Sequence, residues 1–198
     1  MIIGLTGPYC AGKNHISALL ESRGLPVLDV DKLGYQVLET EKESIFAQFG
    51  LDLKKPDGAL DRRLLGQRVF GQPEKLAALE AIIHPPVNRL TDDWIKAQKS
   101  HCVINAALLH RSSAFKTLDK IILVSAPLLT RILRGKRRDR LSFSQIFKRI
   151  ASQKDFYAQY LSINAEIYRM ENRNNGSLSS RRLERRIDAF IKGINQDG

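Results

Sequence analysis

The chain opens with a strand, a loop and a helix whose letters leave few alternatives. Ile2 to Thr6 is an apolar extended run, Gly7-Pro8-Tyr9-Cys10-Ala11-Gly12-Lys13 follows the pattern G-x-x-x-x-G-K, and Lys13 to Ser22 has helical periodicity ended by Gly24. A loop of this kind turns backbone N–H groups and a helix N-terminus toward one anion, and its lysine reaches the outer phosphates of a nucleotide. The plainer alternative, an ordinary strand-turn-helix corner, leaves Lys13 at the end of a helix dipole that disfavours cations. A bound phosphate removes that objection. Where the motif expects a Ser or Thr hydroxyl to hold Mg²⁺, the residue is Asn14.

Further apolar runs read as buried strands at Pro26–Val30, Cys102–Leu108, Ile121–Ser125 and Glu166–Met170. Helical patterns separate them, which predicts an alternating α/β chain built on a parallel sheet. Roughly seventy residues lie between the second and third runs, more than one crossover helix requires. That excess is helical in pattern. It runs from Lys32 to Phe49, turns at Pro56-Asp57-Gly58, and resumes in a helix capped by Asp61 that carries Leu64, Leu65, Val69 and Phe70. A helix begun by Pro73 puts Leu76, Leu79, Ile82 and Ile83 on one face; after His84-Pro85-Pro86 another carries Leu90, Trp94 and Ile95.

In Leu28-Asp29-Val30-Asp31, two carboxylates stand at i and i+2. On an extended segment they point to one side about 6.5 Å apart, at the carboxyl end of the second strand, where open α/β sheets bind ligands. One can accept a proton from an attacking hydroxyl while the other supports Mg²⁺. The plainer expectation is that Asp29 or Asp31 caps the following helix.

Charge adds a further clue. The net charge is +11, and Arg131, Arg134, Lys136, Arg137, Arg138 and Arg140 crowd one stretch while Arg181, Arg182, Arg185 and Arg186 crowd another. Arg134 and Arg138, at i and i+4, face one way from a helix, and Arg131 can join them. Arginines on a closing lid stabilise the charge that spreads over a transferring phosphoryl group. The second cluster reads equally as a solvated basic face.

No aromatic-rich RNA motif, zinc finger or helix-turn-helix accompanies these clusters, so nucleic acid is not the expected partner. Cys10 and Cys102 form no C-x-x-C and signal neither a disulfide framework nor a zinc site, and the four histidines have no metal-ligand spacing. The chain has 198 residues, 43% of them apolar, enough for a sizeable core. With no apolar run of about 18 residues and no charged-then-apolar leader, the expectation is a soluble, cytoplasmic protein.

Taken in order, the pieces resemble the dephospho-coenzyme A kinase family. They are I-I-G-L-T-G, V-L-D-V-D-K-L-G-Y-Q-V-L, L-D-R-R-L-L-G-Q-R-V-F, I-I-H-P-P-V, V-I-N-A-A-L-L, R-I-L-R-G-K-R-R-D-R-L-S, R-I-A-S-Q and N-N-G-S-L, spanning residues 2 to about 180. The resemblance implies an α/β P-loop NTPase-like fold of three layers with a five-stranded parallel sheet. The core would comprise residues 1–31, 97–130 and 151–198, with a helical acceptor-binding insertion at 32–96 and an arginine-rich lid at 131–150. It implies transfer of the γ-phosphoryl of ATP to the ribose 3′-hydroxyl of dephospho-CoA, with Mg²⁺, by a monomer or weak homo-oligomer. A kinase with another nucleoside or nucleotide acceptor, and a non-catalytic nucleotide or nucleic-acid binder, are the other readings.

Carried over position by position, the resemblance gives Asp31 the role of general base and makes Lys13, Arg134 and Arg138 its catalytic partners. Gly7, Pro8, Tyr9, Cys10, Ala11, Gly12, Lys13, Asn14 and His15 would bind the ATP phosphates, with Asn174 near the adenine. Arg62, His84 and Leu108, with Asp31, would hold the acceptor, and Asn14 and Asp29 the metal. The departures cluster in the same places. Pro8, Tyr9, Cys10 and Ala11 fill a loop that is usually glycine-rich, and Asn14 replaces a hydroxyl residue. Asn105, Ala107 and Arg111 stand where the family has an acidic residue, a proline and a glutamate.

Overall fold

The computed structural model describes residues 1–160, 163–173 and 177–196. Five strands form one parallel sheet in the order β2-β3-β1-β4-β5. They are β1 (Ile2–Thr6), β2 (Val27–Asp29), β3 (Cys102–Asn105), β4 (Lys120–Ser125) and β5 (Glu166–Glu171). The inner strands β1, β3 and β4 are almost wholly buried and rich in Ile, Val and Leu, as strands covered on both faces must be.

The chain leaves β1 toward β2 on one side and leaves β3 toward β4 on the other. The connections therefore diverge between β1 and β3, and in such sheets the crevice beyond the carboxyl ends at that point is the binding site. The register pairs Ile3 with Val103, Leu5 with Asn105, and Leu5 with Ile122, so these side chains share one face. Against that face pack Ile16 and Leu20 of α1 (Lys13–Glu21) and Leu183, Ile187, Phe190 and Ile194 of the last helix. Fully burying one such aliphatic side chain stabilises by about 1.5–3 kcal/mol, so this layer fixes where α1 begins.

The chain divides into two compact units, Met1–Leu28 with Ile95–Gly198, and Asp29–Trp94. The second is helical: α2 (Val30–Thr40), α3 (Lys42–Phe49), α4 (Arg62–Val69) and most of α5 (Pro73–Lys96). Its own core is Ile45, Phe46, Phe49, Leu53, Leu60, Leu65 and Val69, flanked by Leu79, Ile82 and Ile83. In the first unit α6 (Leu128–Asp139) and α7 (Phe143–Ala151) follow β4, and α8 (Ser177–Gln196) ends the described chain. Among the described residues no helix is long and apolar enough to cross a membrane.

Several expectations need correction. The helix expected from Lys32 to Phe49 starts early, at Val30, because Asp29 accepts a hydrogen bond from the Lys32 N–H (3.1 Å), and it is broken at Glu41. Asp31 therefore lies in a helical first turn, and the extended i, i+2 geometry of Asp29 and Asp31 does not form. The strand expected to reach Leu108 stops at Asn105, and a 3-10 turn follows at Leu109–Arg111. The break expected at His84-Pro85-Pro86 is absent: α5 runs through both prolines, held on either side by Ile82, Ile83 and the buried Val87 and Thr91.

Candidate active site

The phosphate loop is closed by its own backbone. The Ala11 N–H donates to the Pro8 carbonyl (3.0 Å) and the His15 N–H to the Gly12 carbonyl (3.1 Å). Gly12 precedes α1 in the left-handed region (φ 96°), and a Cβ there would collide with the side-chain amide of Asn172, so glycine is required twice over. Cys10 also has positive φ (58°), which costs a non-glycine residue about 1–2 kcal/mol. Pro8 has no N–H, and the Tyr9 N–H is taken by Gln153 Oε1 (2.7 Å). Pro8 and Tyr9 therefore offer an anion no N–H, and the remaining pull on one comes from the Gly12 end, where the N-terminus of α1 begins.

The expected lid is two helices, and its arginines turn toward this loop. Arg134 Nη1 donates to the carbonyls of Cys10 (3.3 Å) and Ala11 (3.0 Å), while Nη2 donates to the carbonyl (3.2 Å) and side-chain oxygen (3.1 Å) of Asn172. Arg131 Nε donates to the Tyr9 carbonyl (2.7 Å). Burial lowers the pKa of both guanidinium groups, which stay charged because arginine starts so far above neutrality. Arg138 lies over the Tyr9 ring (5.4 Å) and pairs with Asp139 (2.8 Å). That pairing holds the Asp139 carboxyl below its ordinary range, and burial followed by the bond to Asp139 pushes the Tyr9 phenol up to about 12.

Lys13 opens α1 half-buried, and Asn14 and His15 follow it exposed to solvent. At the end of β3, Asn105 is fully buried, and neither its amide nitrogen nor its carbonyl oxygen has a hydrogen-bond partner. Its register with Leu5 puts it on the α1 face of the sheet, where an orphaned amide costs about 1–3 kcal/mol unless something polar meets it. An oxygen-ligated cation is a suitable occupant, since Mg²⁺ accepts neutral carbonyl donors and keeps several waters. Among the described residues no cluster of three His, Cys, Asp or Glu could hold a metal ion.

In the helical unit Asp29 is half-buried and caps α2, and Asp31 is exposed in that helix's first turn. Arg62 begins α4 with its guanidinium over the exposed Tyr35 ring (5.5 Å), and His84 lies half-buried within α5. Leu108, in the first unit, is 49% exposed just past β3. Asn174 lies outside the described residues. Sequence reasoning missed Asp139, Arg149 and Gln153, which meet Tyr9 across more than a hundred intervening residues, and Asn172, which Arg134 meets across more than thirty. Only Gly135, a glycine inside a helical run, hinted at a close approach on α6.

The sequence profile of the dephospho-CoA kinase family matches residues 1–162. The dephospho-CoA kinase of Treponema pallidum is 34% identical over 201 residues, covering 96% of this chain and 93% of that protein. A Thermus thermophilus protein of known crystal structure superposes with a TM-score of 0.82 at 34% identity, covering 98% of this chain and 97% of that one. Dephospho-CoA kinase from Campylobacter jejuni superposes with a TM-score of 0.70 at 24% identity, covering 97% and 98%, a likeness of fold.

Proposed function

This chain belongs to the dephospho-CoA kinase family, an ATP-dependent transferase in coenzyme A synthesis, and from that premise we propose how its own residues divide the work. Gly7 to His15 receive the phosphates of ATP, with the anion drawn to the Gly12 end of the loop and Lys13 reaching the outer phosphates. Asp31 accepts the proton of the ribose 3′-hydroxyl as that oxygen attacks the γ-phosphorus and ADP departs. Arg134 and Arg138 meet the charge that spreads over the transferring group. Arg62, His84 and Leu108 hold dephospho-CoA, and Asn174 lies by the adenine. Core, helical acceptor-binding insertion and lid keep the division at residues 32–96 and 131–150.

Mg²⁺, when bound, screens the phosphates and favours the leaving charge on ADP. Asn14 offers it a neutral oxygen, Asn105 a buried one, and Asp29 a carboxylate that also caps α2. The protein acts in the cytoplasm, where ATP is supplied, as a monomer or weak homo-oligomer without nucleic acid.

The observation that carries this reading is the loop itself: Gly12 in left-handed geometry at the start of α1, with Arg134 fastened to the Cys10 and Ala11 carbonyls. Purified protein given ATP, Mg²⁺ and dephospho-CoA should form coenzyme A and ADP in equal amounts, read by chromatography. Retained ATP binding without coenzyme A, with Mg²⁺ or Mn²⁺, would sink the assignment.

Asn14→Thr restores a hydroxyl at an exposed position in the first turn of α1, so the fold is unaffected. The Mg²⁺ concentration for half-maximal activity should fall several-fold, because a hydroxyl in this position is the motif's usual Mg²⁺ ligand. An unchanged or higher requirement would mean that Asn14 suits its own site better.

A further inference from the structure

Tyr9 occupies the interior of the phosphate loop, where a side chain has no part in cradling an anion. Its environment comes from elsewhere in the chain. The phenolic hydroxyl donates to Asp139 Oδ2 at the end of α6, and the guanidinium groups of Arg138 and Arg149 lie over its ring at 5.4 and 5.5 Å. Asp139 in turn accepts from Arg138 Nε (2.8 Å) and pairs with Arg149 (3.5 Å). Gly135 makes room: a Cβ there would stand 3.0 Å from the Tyr9 hydroxyl oxygen. A slot on α6, an anion at its end and two cations therefore converge on one ring.

We propose that Tyr9 is the positioning residue that seats α6 and α7 on the phosphate loop and thereby sets where Arg138 stands during phosphoryl transfer. The proposal rests on the kinase reading and goes beyond it. A guanidinium over an aromatic face gains from the ring quadrupole, and a carboxylate shared by a phenol and two arginines accepts charge-assisted hydrogen bonds, the stronger kind. The seat is charged and ready at neutral pH. Asp139, whose carboxyl is held low chiefly by Arg138, loses these contacts when protonated, so they persist through neutral pH and are lost as pH falls below the ordinary carboxylate range.

Two substitutions test the seat from opposite sides. Tyr9→Phe keeps the ring and removes only the hydroxyl; Gly135→Ala keeps the tyrosine, favours the helix, and fills the slot. Each should lower kcat about tenfold, the loss of one charge-assisted hydrogen bond, with KM for ATP within about twofold. The double variant should be little worse than either single one, because both disturb the same contact. Trypsin cleavage between Lys136 and Arg140 should quicken in each variant, a readout independent of catalysis.

Wild-type kcat in Tyr9→Phe would overturn the proposal, as would singles whose effects multiply. A lowered kcat with unchanged cleavage would do so as well, since Tyr9 would then act on the nucleotide. If the unaltered protein forms no coenzyme A, the kinase reading fails while the cleavage rates still judge the seat.

Discussion

Asp31→Asn should retain the fold and the affinity for ATP and lose about 10²- to 10⁴-fold in kcat, the usual size of a general-base contribution. The structure makes this a clean substitution. The helix cap belongs to Asp29, whose oxygen accepts from the Lys32 N–H, so replacing Asp31 leaves that cap in place. Neutralising it removes about 0.3–1 kcal/mol of dipole stabilisation, too little to unfold a domain of this size. Asp29→Ala differs in losing the cap, about 1 kcal/mol, together with the carboxylate proposed for Mg²⁺, so it should lower the melting temperature as well as the turnover. Steady-state kinetics with coenzyme A as the measured product, beside thermal melting, separates the two. Near wild-type kcat in Asp31→Asn would remove Asp31 from the chemistry.

Arg134→Ala should reduce kcat/KM about 10³-fold, the lower end of what an arginine on a transferring phosphoryl group supplies. It should also lower the melting temperature, because Arg134 satisfies the carbonyls of Cys10, Ala11 and Asn172 as well as the Asn172 side chain. A buried carbonyl left without its donor costs about 1–3 kcal/mol. Arg134→Lys should rescue little, since a single ammonium cannot reproduce a planar fork that reaches two separate backbones. A variant that melts lower but turns over at the wild-type rate would make Arg134 a brace of the loop and nothing more.

The parts of this molecule that could be read in its sequence are those governed by short-range rules. Ile2–Thr6 and Ile121–Ser125 announced themselves as continuous apolar runs, and Gly12-Lys13 as the start of a helix that faces an anion. Asp31 was misplaced in geometry because strand and cap compete for Val30, and a two-residue difference decides whether neighbouring carboxylates point together or apart. The prolines of α5 misled in the other direction, since the apolar residues on both sides outweigh two missing hydrogen bonds. Asn172 and Asp139 were illegible, because what they touch is Gly12 and Tyr9, and no local pattern encodes a partner so far along the chain. Asn105 was legible as a lost charge; its complete burial without a partner is a tertiary fact.

Pro85 and Pro86 bring no N–H into α5, so the carbonyls of Ala81 and Ile82, four residues earlier, lose their donors within the helix. Mechanically α5 is two stiff rods joined at a compliant point. Bending a helix usually means stretching bonds already made, but here the bonds that would resist are missing. His84 stands immediately before the joint. A load on that part of the helix is therefore taken up at the joint instead of being carried along its whole length.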